Sequence, residues 1–175
     1  MLFAMLVPQK GYHDSVIDWL ESTLRLLGRK KFIFKSDSEP SLMSLKTAVI
    51  ERLTGIEIIP KETPRGDWKG HGEIEVAIRD IRRQARVLRA SLEQKLMSRI
   101  SMDHSLLAWL VGHAAFLLSR IPIGKDGRTA VERWTGRTYR REIAIFGEHV
   151  LWKTVLKKDS DKKVLIRNSS STESL

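Results

Sequence analysis

Asp37 and Glu75 are the two residues of this chain whose type and setting best fit chemistry. Asp37 closes the apolar run Lys31-Phe32-Ile33-Phe34-Lys35-Ser36. Glu75 stands three residues after Gly72, in Gly72-Glu73-Ile74-Glu75, at the head of a long basic helix pattern. Two-metal phosphoryl transfer needs carboxylates that converge on cations roughly 3.5–4 Å apart. A carboxylate where a strand hands over to a loop is a common ligand, so Asp37 fits that role. Its plainer role is to cap the helix that follows. Arg79 and Arg82 follow Glu75 at i+4 and i+7 on one helical face, and Arg83 and Arg86 widen the positive strip. A nucleic-acid backbone can lie along such a strip, its phosphates paired to guanidiniums. The plainer reading is a solvated face with a Glu75–Arg79 pair, worth only about 0.2–0.5 kcal/mol.

Composition supports an anionic partner. Thirty-one Lys and Arg against 21 Asp and Glu give a net charge of +10 over 175 residues. Such an excess favours nucleic acid first and an acidic membrane surface second. Hydrophobic residues at 42% and charged residues at 30% suit a globular core. With no cysteine, disulfides and Cys-containing zinc sites are excluded. The five histidines (13, 71, 104, 113 and 149) are scattered. A metal site would therefore use oxygen ligands, which favours Mg²⁺ or Mn²⁺. His113, inside an apolar helix pattern, is expected as a hydrogen-bonded core histidine. Trp109 is expected in the core, and Trp68, in a loop, as the tryptophan able to touch a base.

Strands and helices must position these groups. Leu2 to Val7 reads as a strand buried on both faces, not as a signal peptide. His13 to Leu27 has helical spacing (Val16, Ile17, Leu20, Leu24) and stops at Gly28. Lys31 to Lys35 is a second strand. Ser38 is expected to cap the next helix, with Pro40 in its first turn. Ile56 to Ile59 is a third strand, stopped by Pro60. Pro60 to Gly72 reads as a mobile polar loop. A long helix is predicted over Glu73 to Leu96, with Ile74, Ile78, Ile81, Ala85, Leu88 and Leu92 facing inward. Asp103 is expected to cap an apolar helix ending near Ile121, too short to span a bilayer. Residues 157 onward are lysine-rich, then serine-rich, and expected to be disordered. Strand and helix alternate in the first half and helix dominates the second, which predicts an α/β layer fold.

At these residues the chain resembles the integrase of copia-type retrotransposons, in the retroviral integrase superfamily. Ser36-Asp37-Ser38-Glu39-Pro40 is similar in place to the family's Ser/Thr-Asp-Asn-Gly motif, with Ser38-Glu39 where Asn-Gly is usual. His71-Gly72-Glu73-Ile74-Glu75 resembles its Asn-Gly-x-x-Glu step, with His for Asn. Glu73 competes with Glu75, since 35 residues lie between it and Asp37; the Gly-x-x-Glu step favours Glu75. Thr129-Ala130-Val131-Glu132-Arg133-Trp134-Thr135-Gly136 and Ile145-Phe146-Gly147 look like the Thr-Pro-x-Glu-x-Trp-x-Gly and Phe-Gly segment after the family's core.

The resemblance implies an incomplete ribonuclease H-like fold: three remaining strands with flanking helices, a helical C-terminal half and a disordered basic tail. It implies a partial catalytic core over 1–121, a post-core segment over 122–156 and a tail over 157–175. The family joins element ends to target DNA with Mg²⁺ and an Asp-Asp-Glu triad. Asp37 and Glu75 would be catalytic metal ligands, and Arg79, Arg82, Arg83 and Arg86 would meet DNA. The family's first Asp has no counterpart here, because no acidic residue precedes Asp14. Weak binding of Mg²⁺ or Mn²⁺ and little or no strand transfer are therefore expected. The missing hairpin should also leave a marginal sheet carried by a sounder helical half. The resemblance places the chain in a nuclear integration complex or the cytoplasm, with no membrane partner, and leaves a homo-oligomer open. The alternatives are a non-catalytic nucleic-acid binder and a decayed mobile-element remnant.

Overall fold

The computed structural model describes residues 1–7, 9–62 and 68–148, with side chains in the third helix described from residue 72 onward. Its elements are α1 (Asp14–Leu26), β1 (Lys31–Ser36), α2 (Pro40–Arg52), β2 (Glu57–Glu62), α3 (Trp68–Leu96), α4 (Leu106–Arg120) and α5 (Ala130–Thr135). The protein is thus mixed α/β. Contacts divide it into two compact units, Met1–Tyr139 and Arg140–Leu175. All the elements named above belong to the first.

In the first unit β1 and β2 pair in parallel, with Lys31 opposite Glu57 and Ser36 opposite Glu62. A parallel pair needs a crossover, and α2 provides it. Phe32, Phe34 and Ser36 alternate inward while Lys31, Ile33 and Lys35 face out. Phe34 and Ile58 pack on a cluster of Ile17, Val49 and Leu53, so helices cover one face of the sheet. The other face is open: Ile33 is 68% exposed. Parallel sheets are normally covered on both faces. The strand predicted to stop at Pro60 runs on to Glu62, with Pro60 opposite Phe34. Proline has no N–H, and β2 tolerates it because it lies on a sheet edge.

The N-terminal strand is a correction. Leu2–Val7 joins no ladder among the described residues, and the sheet there has two strands, not three. The segment runs along α4 instead. Leu2 donates its N–H to Ser119 Oγ at 2.8 Å, and the same hydroxyl donates to the Leu2 carbonyl at 3.2 Å. It is also not buried on both faces: Phe3, Met5, Leu6 and Val7 are all exposed.

α3 packs on α4, and α4 on α5. α3 begins at Trp68, so the predicted mobile loop is partly its first turn; residues 63–67 and the side chain of Trp68 lie outside the described residues. Its end is a Schellman motif: Ser98 N–H reaches the Glu93 carbonyl, Met97 N–H reaches that of Gln94, and Met97 takes φ +50°. Glu93 then ties the turn shut by accepting from Ile100 N–H at 2.9 Å and Arg89 Nε at 2.9 Å.

Three local expectations change. Glu39, not Ser38, occupies the N-cap of α2, and Pro40 is its first residue. Asp103 accepts from Ser101 Oγ rather than capping α4, whose N-cap is Ser105. Trp109 is 78% exposed, not core, because it sits on the face of α4 turned away from Leu110, Ala114 and Ala115.

In the second unit the described residues 140–148 contain one tight turn. Glu148 N–H bonds to the Ile145 carbonyl at 2.9 Å, and Gly147 at the third position has φ +77°. A type II turn requires a positive φ there, which glycine supplies without steric cost. The predicted tail over 157–175 lies outside the described residues.

Candidate nucleic-acid interface and acidic residues

Asp37 follows directly on β1, at the carboxyl end of the parallel pair, as its position in sequence requires. Its Oδ1 accepts from the N–H of its neighbour Ser38 at 2.8 Å, in the short link between β1 and α2. The carboxylate is exposed. It makes no side-chain bond to the first turn of α2, so capping is not its role. The carboxylate nearest to it in the sheet register is Glu62, opposite Ser36 at the end of β2.

Glu75 and Glu73 both lie in the first turns of α3 and both face solvent. No hydrogen bond or ion pair joins Glu75 to Arg79 among the described residues. Arg79 lies instead 3.5 Å from Asp80. α3 makes its main contacts with α4, whereas β1 makes its own with β2 and α2. Asp37 and Glu75 therefore stand on elements that do not pack broadly on each other. Among the described residues no group of three or more His, Asp or Glu gathers as a metal site.

The arginines are better placed. Arg79, Arg82, Arg83 and Arg86 are all exposed along α3. Arg82, Arg83 and Arg86 have no ion-pair partner among the described residues, while Arg89 further along is held by Glu93. The exposed, uncompensated stretch is therefore Arg82 to Arg86, with Arg79 weakly engaged. Guanidiniums left free in this way present their forked donors to solvent and to any phosphate oxygens that approach.

Two features of the basic surface escaped the sequence reading. Arg120 lies over the Phe116 ring at 3.7 Å from the centroid and 5.2 Å from that of Tyr139, and Arg29 lies over Trp134 at 4.8 Å. These stacks occupy two arginines structurally. Arg120 and Phe116 are one turn apart on α4, but only tertiary proximity reveals the contacts to Tyr139 and Trp134, which are distant in sequence. His113 stacks on Phe116 with centroids 5.7 Å apart, and burial pushes its pKa down. The ring is half-buried rather than in the core expected for it.

No protein-family model matches the chain, and no curated protein is similar to it at a significant level. The likeness to integrases rests on its short motifs alone.

Proposed function

We propose that this chain is a fragment of a copia-type integrase core whose present competence is nucleic-acid binding, with strand transfer impaired. The observation that carries the reading is the run of exposed, unpaired guanidiniums on α3, set in a chain of net charge +10. Phosphates along a duplex draw such a face through counterion release, without reading sequence. Glu75 lies amid that face and repels phosphate. The motifs around Asp37, Glu75 and Glu132 are what suggest descent from an integrase with a ribonuclease H-like fold. In that descent Asp37 and Glu75 are two of three metal ligands. Two carboxylates on separately packed elements would hold Mg²⁺ weakly, so little or no metal-dependent cleavage is expected from this chain alone.

The test is a salt titration of duplex DNA binding. Replacing Arg82, Arg83 and Arg86 by Ala should weaken binding and lower the slope of log affinity against log salt by about one per arginine. Glu75→Gln should bind as well as the parent or better. An unchanged slope in the triple variant would remove α3 from the interface. Loss of a Mg²⁺-dependent nicking activity in Glu75→Gln would instead show a working catalytic site.

A further inference from the structure

The apolar stripe of α3 is covered along only half its length. Leu92 is 5% exposed beneath α4, but Ile74 is 58% and Ile78 is 44% exposed. The uncovered half faces a groove of about 460 Å³, lined also by Val16 and Trp19 of α1, Val111 of α4 and the whole of Leu2–Val7. Its one charged lining residue is Arg82. Exposed apolar surface of this continuity is rare unless something binds to it.

The N-terminal segment indicates what binds. Leu2 lies at Ser119, and the Ala4 carbonyl lies close to Gly112, so a two-residue step spans about two turns of α4. The chain is drawn out as in a strand. In such a chain, successive residues point their N–H and C=O groups to opposite sides. Leu2 and Ala4 aim theirs at α4. Phe3, Met5 and Val7 therefore aim theirs away from it. None of the backbone groups of Phe3–Val7 makes a hydrogen bond among the described residues. Water can satisfy them, but the side chains around them are apolar. The chemistry that satisfies alternate N–H and C=O groups and buries apolar side chains together is another extended polypeptide.

Charge selects among such polypeptides. Arg82 stands on the groove wall and has no ion-pair partner among the described residues. With a net charge of +10, a second copy of this chain is repelled and an acidic partner attracted. We infer that Phe3–Val7 is a strand-addition edge. It takes an extended partner segment that is apolar at alternate positions and acidic at its flanks, seating its side chains in the groove beside Ile74 and Ile78.

The experiment uses the full chain and a synthetic peptide alternating valine and threonine, with glutamates at both ends. A twin peptide carries lysines there instead. Hydrogen exchange is followed at single amides. On saturation, the amides of Phe3, Met5 and Val7 should slow by about tenfold or more while those of Ala4 and Leu6 change little. The lysine twin should bind about tenfold more weakly at low salt. Met5→Pro removes one outward donor and should cost about tenfold in affinity, where Met5→Ala costs less. Equal binding of both peptides, or slowing without the odd–even pattern, overturns the inference. Protection in the dilute chain alone would show the edge already occupied from within. Protection that grows with protein concentration without peptide would make a second copy the occupant. Either result also overturns it, and the exchange pattern decides the matter even where the proline variant does not fold.

Discussion

At the scale of single residues, the carboxylate with the clearest task is Glu93, which the search for chemistry passed over. Its oxygens hold the Ile100 N–H first and the Arg89 guanidinium second, and these hold its pKa below the usual value near 4.5. Arg89 also reaches the Ile100 carbonyl at 2.5 Å, so one ion pair fixes both backbone groups of a buried residue. A depressed carboxylate pKa contributes stability that is fully present above the unfolded-state value and is lost as pH falls through the folded-state one. The α3–α4 turn should therefore loosen in acid. Thermal melts of the parent between about pH 6 and about pH 3 should lose stability over this window, and Glu93→Gln should flatten that part of the profile. Parallel losses in parent and variant would assign the acid sensitivity elsewhere. Asp37 and Glu75 stood out in the sequence by their neighbours. Glu93 did not, because its partner Ile100 is reached only after the Schellman turn at Met97, where a non-glycine residue holds a positive φ.

Among the elements, α5 shows how a motif can carry structure and be read as ancestry. Thr129 is its N-cap and accepts from Glu132 N–H at 3.2 Å, while Glu132 accepts from Thr129 N–H at 2.7 Å. Gly136 follows in the left-handed conformation at φ +68°. The Thr, Glu and Gly of the Thr-x-x-Glu-x-Trp-x-Gly pattern thus start and stop one short helix, as a capping box and a C-terminal glycine do in any fold. Gly124 belongs to the same arrangement: a Cβ there would collide with the Arg133 guanidinium that grips Asp126. Thr129→Ala should cost about 1 kcal/mol of stability, read by chemical denaturation. Little change would mean that α5 frays without affecting the unfolding transition. Some helix ends, such as the stop of α1 before Gly28, were legible because caps and stops are local, although α5 was not predicted and the caps expected at Ser38 and Asp103 fell elsewhere. Strand pairing was not. Leu2–Val7 has the composition of a buried strand, yet hydrogen bonds to Ser119, 117 residues away, lay its start along α4. No local pattern encodes that choice. The inward stripe of α3 was likewise read correctly at Leu92, but nothing local shows that Ile74 and Ile78 go uncovered. Trp109 failed for a related reason, since an apolar helix has no polar face to mark its outer side.

On the scale of the whole first unit, the buried apolar residues other than Val16, which lines the groove, fall into two sets. Ile17, Val49 and Leu53 hold α1 and α2 on the sheet. Leu92, Ile100, Leu110, Ala114, Ala115 and Val131 lie on α3, α4, α5 and the turn between α3 and α4. α1 packs broadly on α2 and α3 on α4, with the apolar groove between the sets. Cooperative unfolding requires that contacts bind such sets together, and here the links include the groove lined by Leu2–Val7 and the stack of Arg29 on Trp134. The two halves should therefore open with separate free energies. Val49→Ala should cost about 2 kcal/mol and speed amide exchange in α1, α2, β1 and β2 while leaving α3 and α4 nearly unchanged. Leu110→Ala should cost about 3 kcal/mol and do the reverse. The sheet half should open first, since its two strands leave one face and two edges to solvent. If either substitution sped exchange equally through both halves, the unit would be a single cooperative body, and the groove would be a packing fault within it rather than a seam.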